Sequence, residues 1–264
     1  MLPEELRSLY DQDQRINFQE PGTRREVTPH TVRQINENEP ESFLIYSKLT
    51  PENADQVIED EIAYFESIGH NFEWKYYSHD TPPDLIERLR RRGFEIGEPE
   101  TILVLDMQGL SNILTQPITH DIRRITDVAL LKAVQEVGET VFGHPLDGLT
   151  ERMAWEMIHS PDSISLYGAY VDDILVASSR INYPLNSQFA GLWGGGTLEA
   201  YRGKGVYTAL VAARVQEALQ RGRRFLTLDA SPMSRPIVQK LGFVPICISR
   251  PCTWQVHKVN TDTN

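Results

Sequence analysis

Cysteine is scarce in this chain, with only Cys247 and Cys252 among 264 residues. A disulfide framework is therefore excluded, and a reducing, cytoplasmic setting is the expectation. No run of eighteen apolar residues occurs, so no transmembrane helix is expected. Nothing at Met1-Leu-Pro-Glu-Glu5 resembles a secretory signal. An excess of positive charge is also lacking: 26 Lys and Arg stand against 37 Asp and Glu, a net charge of −11. General nucleic-acid binding wants a basic face and is set aside. The acidic balance is compatible with a cationic or amine acceptor, and also with a solvated surface alone. The seven histidines show no paired ligand spacing, and Cys247-x4-Cys252 has no companion ligands, so no metal is expected.

What the chain does hold is a hydrophobic content of 40%, enough for packed cores in one large domain or two small ones. One stretch stands out, Thr197-Leu-Glu-Ala-Tyr-Arg-Gly-Lys-Gly-Val-Tyr-Thr208. An apolar, glycine-rich strand pattern from Phe189 to Leu198 runs into a two-glycine loop and then a long helix pattern. Such a turn aims backbone N–H groups and the positive end of a helix dipole at one point, where a phosphate can sit. Gly203 and Gly205 permit close approach of the backbone, while Arg202 and Lys204 add neutralising charge. The spacing is neither a Walker loop nor the dinucleotide fingerprint, because the required glycines are absent.

Arg202-Gly-Lys-Gly-Val-Tyr207 resembles motif A (Arg/Gln-x-x-Gly-x-Gly/Ala) of the GCN5-related N-acetyltransferase (GNAT) superfamily, with Tyr207 standing where a small residue is usual. Further along come Gly222, the strand pattern Phe225 to Ala230, a short helix from Ser234, and Leu241-Gly-Phe243, in the order that superfamily carries. The resemblance covers about residues 118–258. It implies an α/β fold: a mixed, mostly antiparallel twisted sheet flanked by helices, the acyl-CoA N-acyltransferase fold. It also implies acetyl-CoA as acyl donor and an amine acceptor, either a small molecule or a protein amine, acylated by direct attack on the thioester. The pyrophosphate would sit on the N–H groups of Arg202, Gly203, Lys204, Gly205, Val206, Tyr207 and Thr208. Thr197 and Leu198 would offer backbone groups to pantetheine. Gly194-Gly-Gly196 marks either a bulge or the close approach of this arm.

The first half repeats the plan. Strands are expected over Arg25 to Ile35 and Ser42 to Leu49, then a helix capped by Thr50 with Pro51 at its first position. Gly69 precedes Phe72 by three residues, as Gly222 precedes Phe225. Leu89-x-x-x-Gly93-Phe94 matches Val238-x-x-x-Gly242-Phe243, which reads as a duplication. The first copy opens its helix with Thr50-Pro-Glu-Asn-Ala-Asp55 and has no glycine loop, so residues 1–108 read as a degenerate acetyltransferase-like lobe. Residues 109–264 read as the acetyl-CoA-binding domain, with Met107 to Pro117 as connector.

Groups for proton transfer are harder to find. Many relatives place a tyrosine five residues before the phenylalanine of Leu-Gly-Phe; here that position is Val238. Phe189 to Leu198 carries no titratable side chain. Glu139 and His144, near a loop that lines the acceptor site in this superfamily, and Ser231, before the short helix, are the catalytic candidates. Each also has a structural alternative, as a surface, turn or capping residue. A non-catalytic acyl-CoA-binding sensor or interaction module remains the other function class.

Overall fold

The computed structural model describes residues 1–256. In chain order the elements begin with α1 (Pro3–Tyr10), β1 (Thr23–Val27), β2 (Thr31–Asn36), β3 (Glu41–Ser47), α2 (Ala54–Ile68), β4 (Asn71–Tyr77) and α3 (Leu85–Arg91). They continue with β5 (Glu95–Ile96), β6 (Glu100–Asp106), α4 (Asn112–Thr115), β7 (Asp121–Ile125), α5 (Leu131–Phe142) and α6 (Leu149–His159). The last are β8 (Ile164–Val171), β9 (Ile174–Asn182), β10 (Phe189–Thr197), α7 (Val206–Gln220), β11 (Phe225–Ala230), α8 (Arg235–Lys240) and β12 (Val244–Trp254). The chain divides into two units, Met1–Ile102 with the strand from Ile246, and Leu103–Pro245. The sequence places a single boundary at 108/109; in the structure the strand after Pro245 groups with the first unit.

In the first unit the strand order is β1-β2-β3-β4-β12, with β5 on β12. Only β3 and β4 run parallel; the other pairs are antiparallel. That single parallel step needs a crossover, and α2 supplies it. α2 buries Val57, Ile58 and Phe65, and Phe65 stacks on Phe72 of β4 at 4.1 Å. Trp74, Phe94, Cys252 and Trp254 complete this core. An N-terminal clasp adds a polar anchor: Arg15, 1% exposed, meets Asp80 at 2.7 Å and Asp11 at 3.0 Å.

The second unit has the order β6-β11-β10-β9-β8-β7; β7 to β10 pair antiparallel in turn, and β10 and β11 run parallel, bridged by a long helix, α7. α5 and α6 cover one face through Leu131, Val134 and Met153 against Ile164 and Leu166. α7 covers the other through Leu210, Val211 and Val215. The mixed, mostly antiparallel sheet with flanking helices is the expected fold class.

The repeated plan extends to the helix ends. Gly69 (φ 71°) and Gly222 (φ 70°) each close the long helix in the left-handed conformation. The N–H of His70 returns to Phe65 O at 3.0 Å, and that of Arg223 to Ala218 O at 2.9 Å. After the short helices, Phe94 N donates to Leu89 O and Phe243 N to Val238 O, both at 3.2 Å.

Three local expectations are corrected. The stretch Arg25 to Ile35 is not one strand: it folds back at Thr28–His30, where Thr28 Oγ1 accepts from the His30 and Thr31 N–H groups. α2 starts four residues after Thr50, because Asn53 Oδ1 accepts the Thr50 N–H and makes a turn there. The connector is not plain loop, since α4 forms within it and packs Leu114 into the core.

Cys252 faces the first unit's core, where burial first, then the charge of Glu73, pushes its thiol up to about 12. A thiol that stays protonated is not a nucleophile. Native protein at pH 8 should therefore take up one equivalent of a thiol-specific disulfide reagent, at the part-exposed Cys247, and two equivalents only after unfolding. Mass mapping of the labelled peptide checks this; fast labelling of Cys252 contradicts the placement.

Candidate active site

The site is built on β10 and on the turn that follows it. β10 pairs with β11 only through Phe189–Phe225, Ala190–Leu226 and Gly191–Thr227, although β10 runs on to Thr197 and β11 to Ala230. Beyond Gly191 and Thr227 the two strands share no ladder pair, so a wedge opens between them. On its other side β10 is bulged: Trp193 pairs with Arg180, but the next pair is Gly196 with Ser178. Two residues, Gly194 and Gly195, thus oppose one. Gly194 has φ 59°, which a side chain would disfavour. Gly196 is needed for a different reason, because a Cβ there would lie 2.7 Å from Val141 of α5.

A bulge leaves ladder groups without partners, and here a buried cation fills in. Arg214 of α7, 1% exposed, donates from Nη1 to Arg180 O at 3.2 Å and from Nε to Leu210 O at 3.0 Å. It makes no ion pair among the described residues, and burial lowers its pKa to about 10. Its Nη2 lies 3.6 Å from the position a Gly195 Cβ would take.

After β10 the chain makes a 3₁₀ turn, Glu199–Tyr201, and the two-glycine loop. Arg202 Nε donates to Thr197 O at 3.0 Å, closing the loop onto the strand end. Leu198 is tied on both sides, its N–H to Val176 O and its carbonyl to the Tyr201 N–H. Gly205 (φ 80°) leads directly into α7, whose start has no side-chain cap. The N–H groups of Gly203, Lys204, Gly205, Val206, Tyr207 and Thr208 donate to no backbone acceptor among the described residues. Uncapped first-turn donors and the helix dipole favour an anion here. Thr197 Oγ1 is buried without a partner beside them. His120, which the sequence reading passed over, buttresses the loop with Nε2 2.9 Å from Lys204 O.

No hydrogen bond joins the three catalytic candidates to one another among the described residues. Glu139 accepts from Gln135 Nε2 at 2.8 Å and Leu146 N at 3.1 Å, and these bonds hold its carboxyl below the ordinary range. His144 is exposed, with Nδ1 2.8 Å from Pro145 O. Ser231 is exposed in the turn before α8, with Oγ 3.4 Å from the Ser234 N–H. Val238 is 0% exposed and packs with Leu241 and Phe243. Arg214 did leave a signal in the sequence, as a charge inside the apolar run Leu210-Val-Ala-Ala-Arg-Val215.

Among the described residues no cluster of three metal-ligating side chains occurs, and no helix is long and apolar enough to cross a membrane. Residues 132–243 match the model of the Acetyltransferase (GNAT) family. No curated protein sequence matches the chain. Among solved structures, the chain is similar to a GCN5-related N-acetyltransferase from Kribbella flavida, with TM-score 0.68, 14% identity, and 96% and 95% of the two chains covered. It is also similar to a functionally unknown conserved protein from Staphylococcus epidermidis (0.67, 16% identity, 93% of this chain and 97% of that one). A tandem GNAT protein from the clavulanic acid biosynthesis pathway aligns with TM-score 0.58 and 13% identity over 92% of this chain and 86% of its own. At these identities the likeness is one of fold.

Arg214→Met keeps the volume and removes the donor to Arg180 O. Backbone amides from Trp193 to Thr197 should then lose hydrogen-exchange protection by about tenfold or more, the scale of an unmet buried carbonyl. Those of β8 should not change. Equal protection in the variant would show that the bulge stands without the guanidinium.

Proposed function

We propose that this chain, whose residues 132–243 match the GNAT acetyltransferase family, transfers an acetyl group from acetyl-CoA to a primary amine, on a small molecule or a protein. The observation that carries the reading is the uncapped glycine turn set at the open end of the wedge between β10 and β11. One feature offers unpaired donors to a pyrophosphate; the other offers a strand edge to an amide-bearing arm. The residues present fit the donor: a Cβ at Gly203 would meet open space, and Thr197 Oγ1 is a buried polar atom still lacking a partner.

Bound acetyl-CoA would supply an activated acyl group. Arg202, Gly203, Lys204, Gly205, Val206, Tyr207 and Thr208 would hold its pyrophosphate, by backbone N–H groups and by the charges of Arg202 and Lys204. Thr197 and Leu198 end the strand edge that would line pantetheine. Because both polar groups of Leu198 are already bonded, the edge from Leu192 to Thr197 would carry most of that pairing. The bulge fixed by Arg214 would orient a backbone N–H toward a developing negative charge, at no cost in reorganisation. Glu139, His144 and Ser231 stay in the proposal as residues lining the acceptor side.

The second reading, an acyl-CoA-binding module without turnover, draws on Val238. Its side chain is sealed in the core and cannot protonate a departing thiolate. Direct transfer asks little of side chains once the amine is neutral, so this weakens the enzyme reading only slightly.

Calorimetric titration with acetyl-CoA, with ATP as control, should show one site per chain for acetyl-CoA and none for ATP. Gly205→Glu adds a like charge beside the loop and forces a side chain at φ 80° with its Cβ 3.2 Å from His120 Cε1, and should weaken acetyl-CoA binding at least about 100-fold while circular dichroism still shows a folded protein. Unchanged affinity in that variant would sink the assignment of the loop. Thiol release in an amine screen separates the enzyme from the module.

A further inference from the structure

The two-glycine loop is met from outside by one side chain. His120 stands immediately before β7, 84 residues ahead of Lys204, and its Nε2 lies 2.9 Å from Lys204 O. A carbonyl oxygen only accepts, so Nε2 carries the hydrogen and donates. The ring is also seated closely: a Cβ on Gly205 would lie 3.2 Å from its Cε1 and 3.4 Å from its Nε2. Two apolar neighbours hold the backbone of His120 in place. Ile118 packs on the core that contains Val211 and Val215 of α7, and Ile122 on the cluster that contains Val206 and Leu210. Just ahead of them, Gln216 of α7 donates to Leu114 O at 3.2 Å and to Gln116 O at 3.0 Å. The segment that carries His120 is thus tied to the same helix whose N-terminus opens at the loop.

Lys204 O and the Gly205 nitrogen belong to one peptide unit. That unit is planar and trans, so its C=O and N–H point in opposite directions. A donor fixed on Lys204 O therefore turns the Gly205 N–H away from the ring. That N–H donates to no backbone acceptor among the described residues. Glycine accepts φ of either sign, so Gly205, here at 80°, does not by itself choose which way this peptide faces. His120 is the side chain in hydrogen-bond contact with it. A bond at the carbonyl also polarises the peptide and strengthens its N–H as a donor.

We propose that His120 is a positioning residue for the acyl donor: by holding Lys204 O, it aims and strengthens the Gly205 N–H for a pyrophosphate oxygen. This rests on the acetyltransferase reading, and it makes the contribution of His120 one of donor affinity and not of chemistry. The ring is exposed and bonds an exposed loop, so its loss should cost the fold little. Its effect should be confined to donors that carry the pyrophosphate.

The test compares wild type with His120→Phe, which keeps a ring and removes the donor, and His120→Gln, which keeps an N–H of similar reach. By calorimetry, His120→Phe should weaken acetyl-CoA and CoA binding about five- to tenfold, the scale of one hydrogen bond, and His120→Gln should recover most of that. In turnover with the best alkylamine from a screen, KM for acetyl-CoA should rise by the same factor while kcat stays within about twofold. With S-acetylpantetheine, which has no pyrophosphate, the three proteins should agree within about twofold. Their melting temperatures should agree within about 2 °C. Without any donor, the ¹⁵N resonance of the Gly205 amide should move in His120→Phe and return toward its wild-type position in His120→Gln. Unchanged affinity in His120→Phe, no recovery in His120→Gln, or equal losses with acetyl-CoA and S-acetylpantetheine would overturn the proposal. Should no amine turn over, the calorimetric comparison decides alone. If wild type binds neither acetyl-CoA nor CoA, the acetyltransferase reading fails by itself, and the Gly205 resonance of the donor-free proteins still decides whether His120 sets the peptide.

Discussion

The architecture of the second unit depends on one strand, β10, being kept from pairing fully on either side. A sheet interior normally completes its ladders, because an unmet buried N–H or C=O costs about 1–3 kcal/mol. Here the ladder to β11 stops after three pairs, and the ladder to β9 is interrupted at Gly194 and Gly195. Arg214 supports the interruption by reaching from α7 to the Arg180 carbonyl. Burying a guanidinium without a carboxylate is itself unfavourable, as its lowered pKa records. The chain keeps one costly cation in its core to hold an irregular strand. The wedge and the open glycine turn both lie along that strand or at its end.

Much of this was legible in the sequence where local chemistry decides the outcome. Gly203 and Gly205 with Arg202 and Lys204 announce an anion turn before a helix, and such turns need no distant partner to form. Asp172 and Asp173, the two residues between β8 and β9, adopt the positive φ values of 50° and 61° that a tight hairpin needs. The duplicated Gly-Phe endings likewise recur as the same capping bonds. Legibility ended where partners are far apart in the chain. Nothing near Glu156 in sequence points to Asn182, which is brought beside it only by the fold. The stop at Thr28–His30 was missed because the break there is made by one threonine hydroxyl and contains no glycine. The catalytic candidates were chosen by residue type. Two donors on the Oε1 of Glu139 hold its carboxyl below the ordinary range, which makes it a poorer base.

The two units show how one plan accepts different helix starts. In both, a parallel strand pair is bridged by a long helix closed by a left-handed glycine. At the start of α7 the donors are left open by glycines. At the start of α2, Asp55 lies in the first turn and pairs with Arg88 at 2.7 Å. A carboxylate in that place occupies the role an external anion would take.

The chain path has a consequence for folding: β12, the last strand among the described residues, is the partner of β4, whose own repeat ended long before. During synthesis, the edge of β4 and the aromatic surface of Phe72 and Trp74 must therefore wait until β12 has been made. At about 5–20 residues per second, that wait is on the order of ten seconds or more. An open strand edge of this kind is a template for wrong pairing. A chain that stops before Val244 therefore leaves a first unit with its sheet still open.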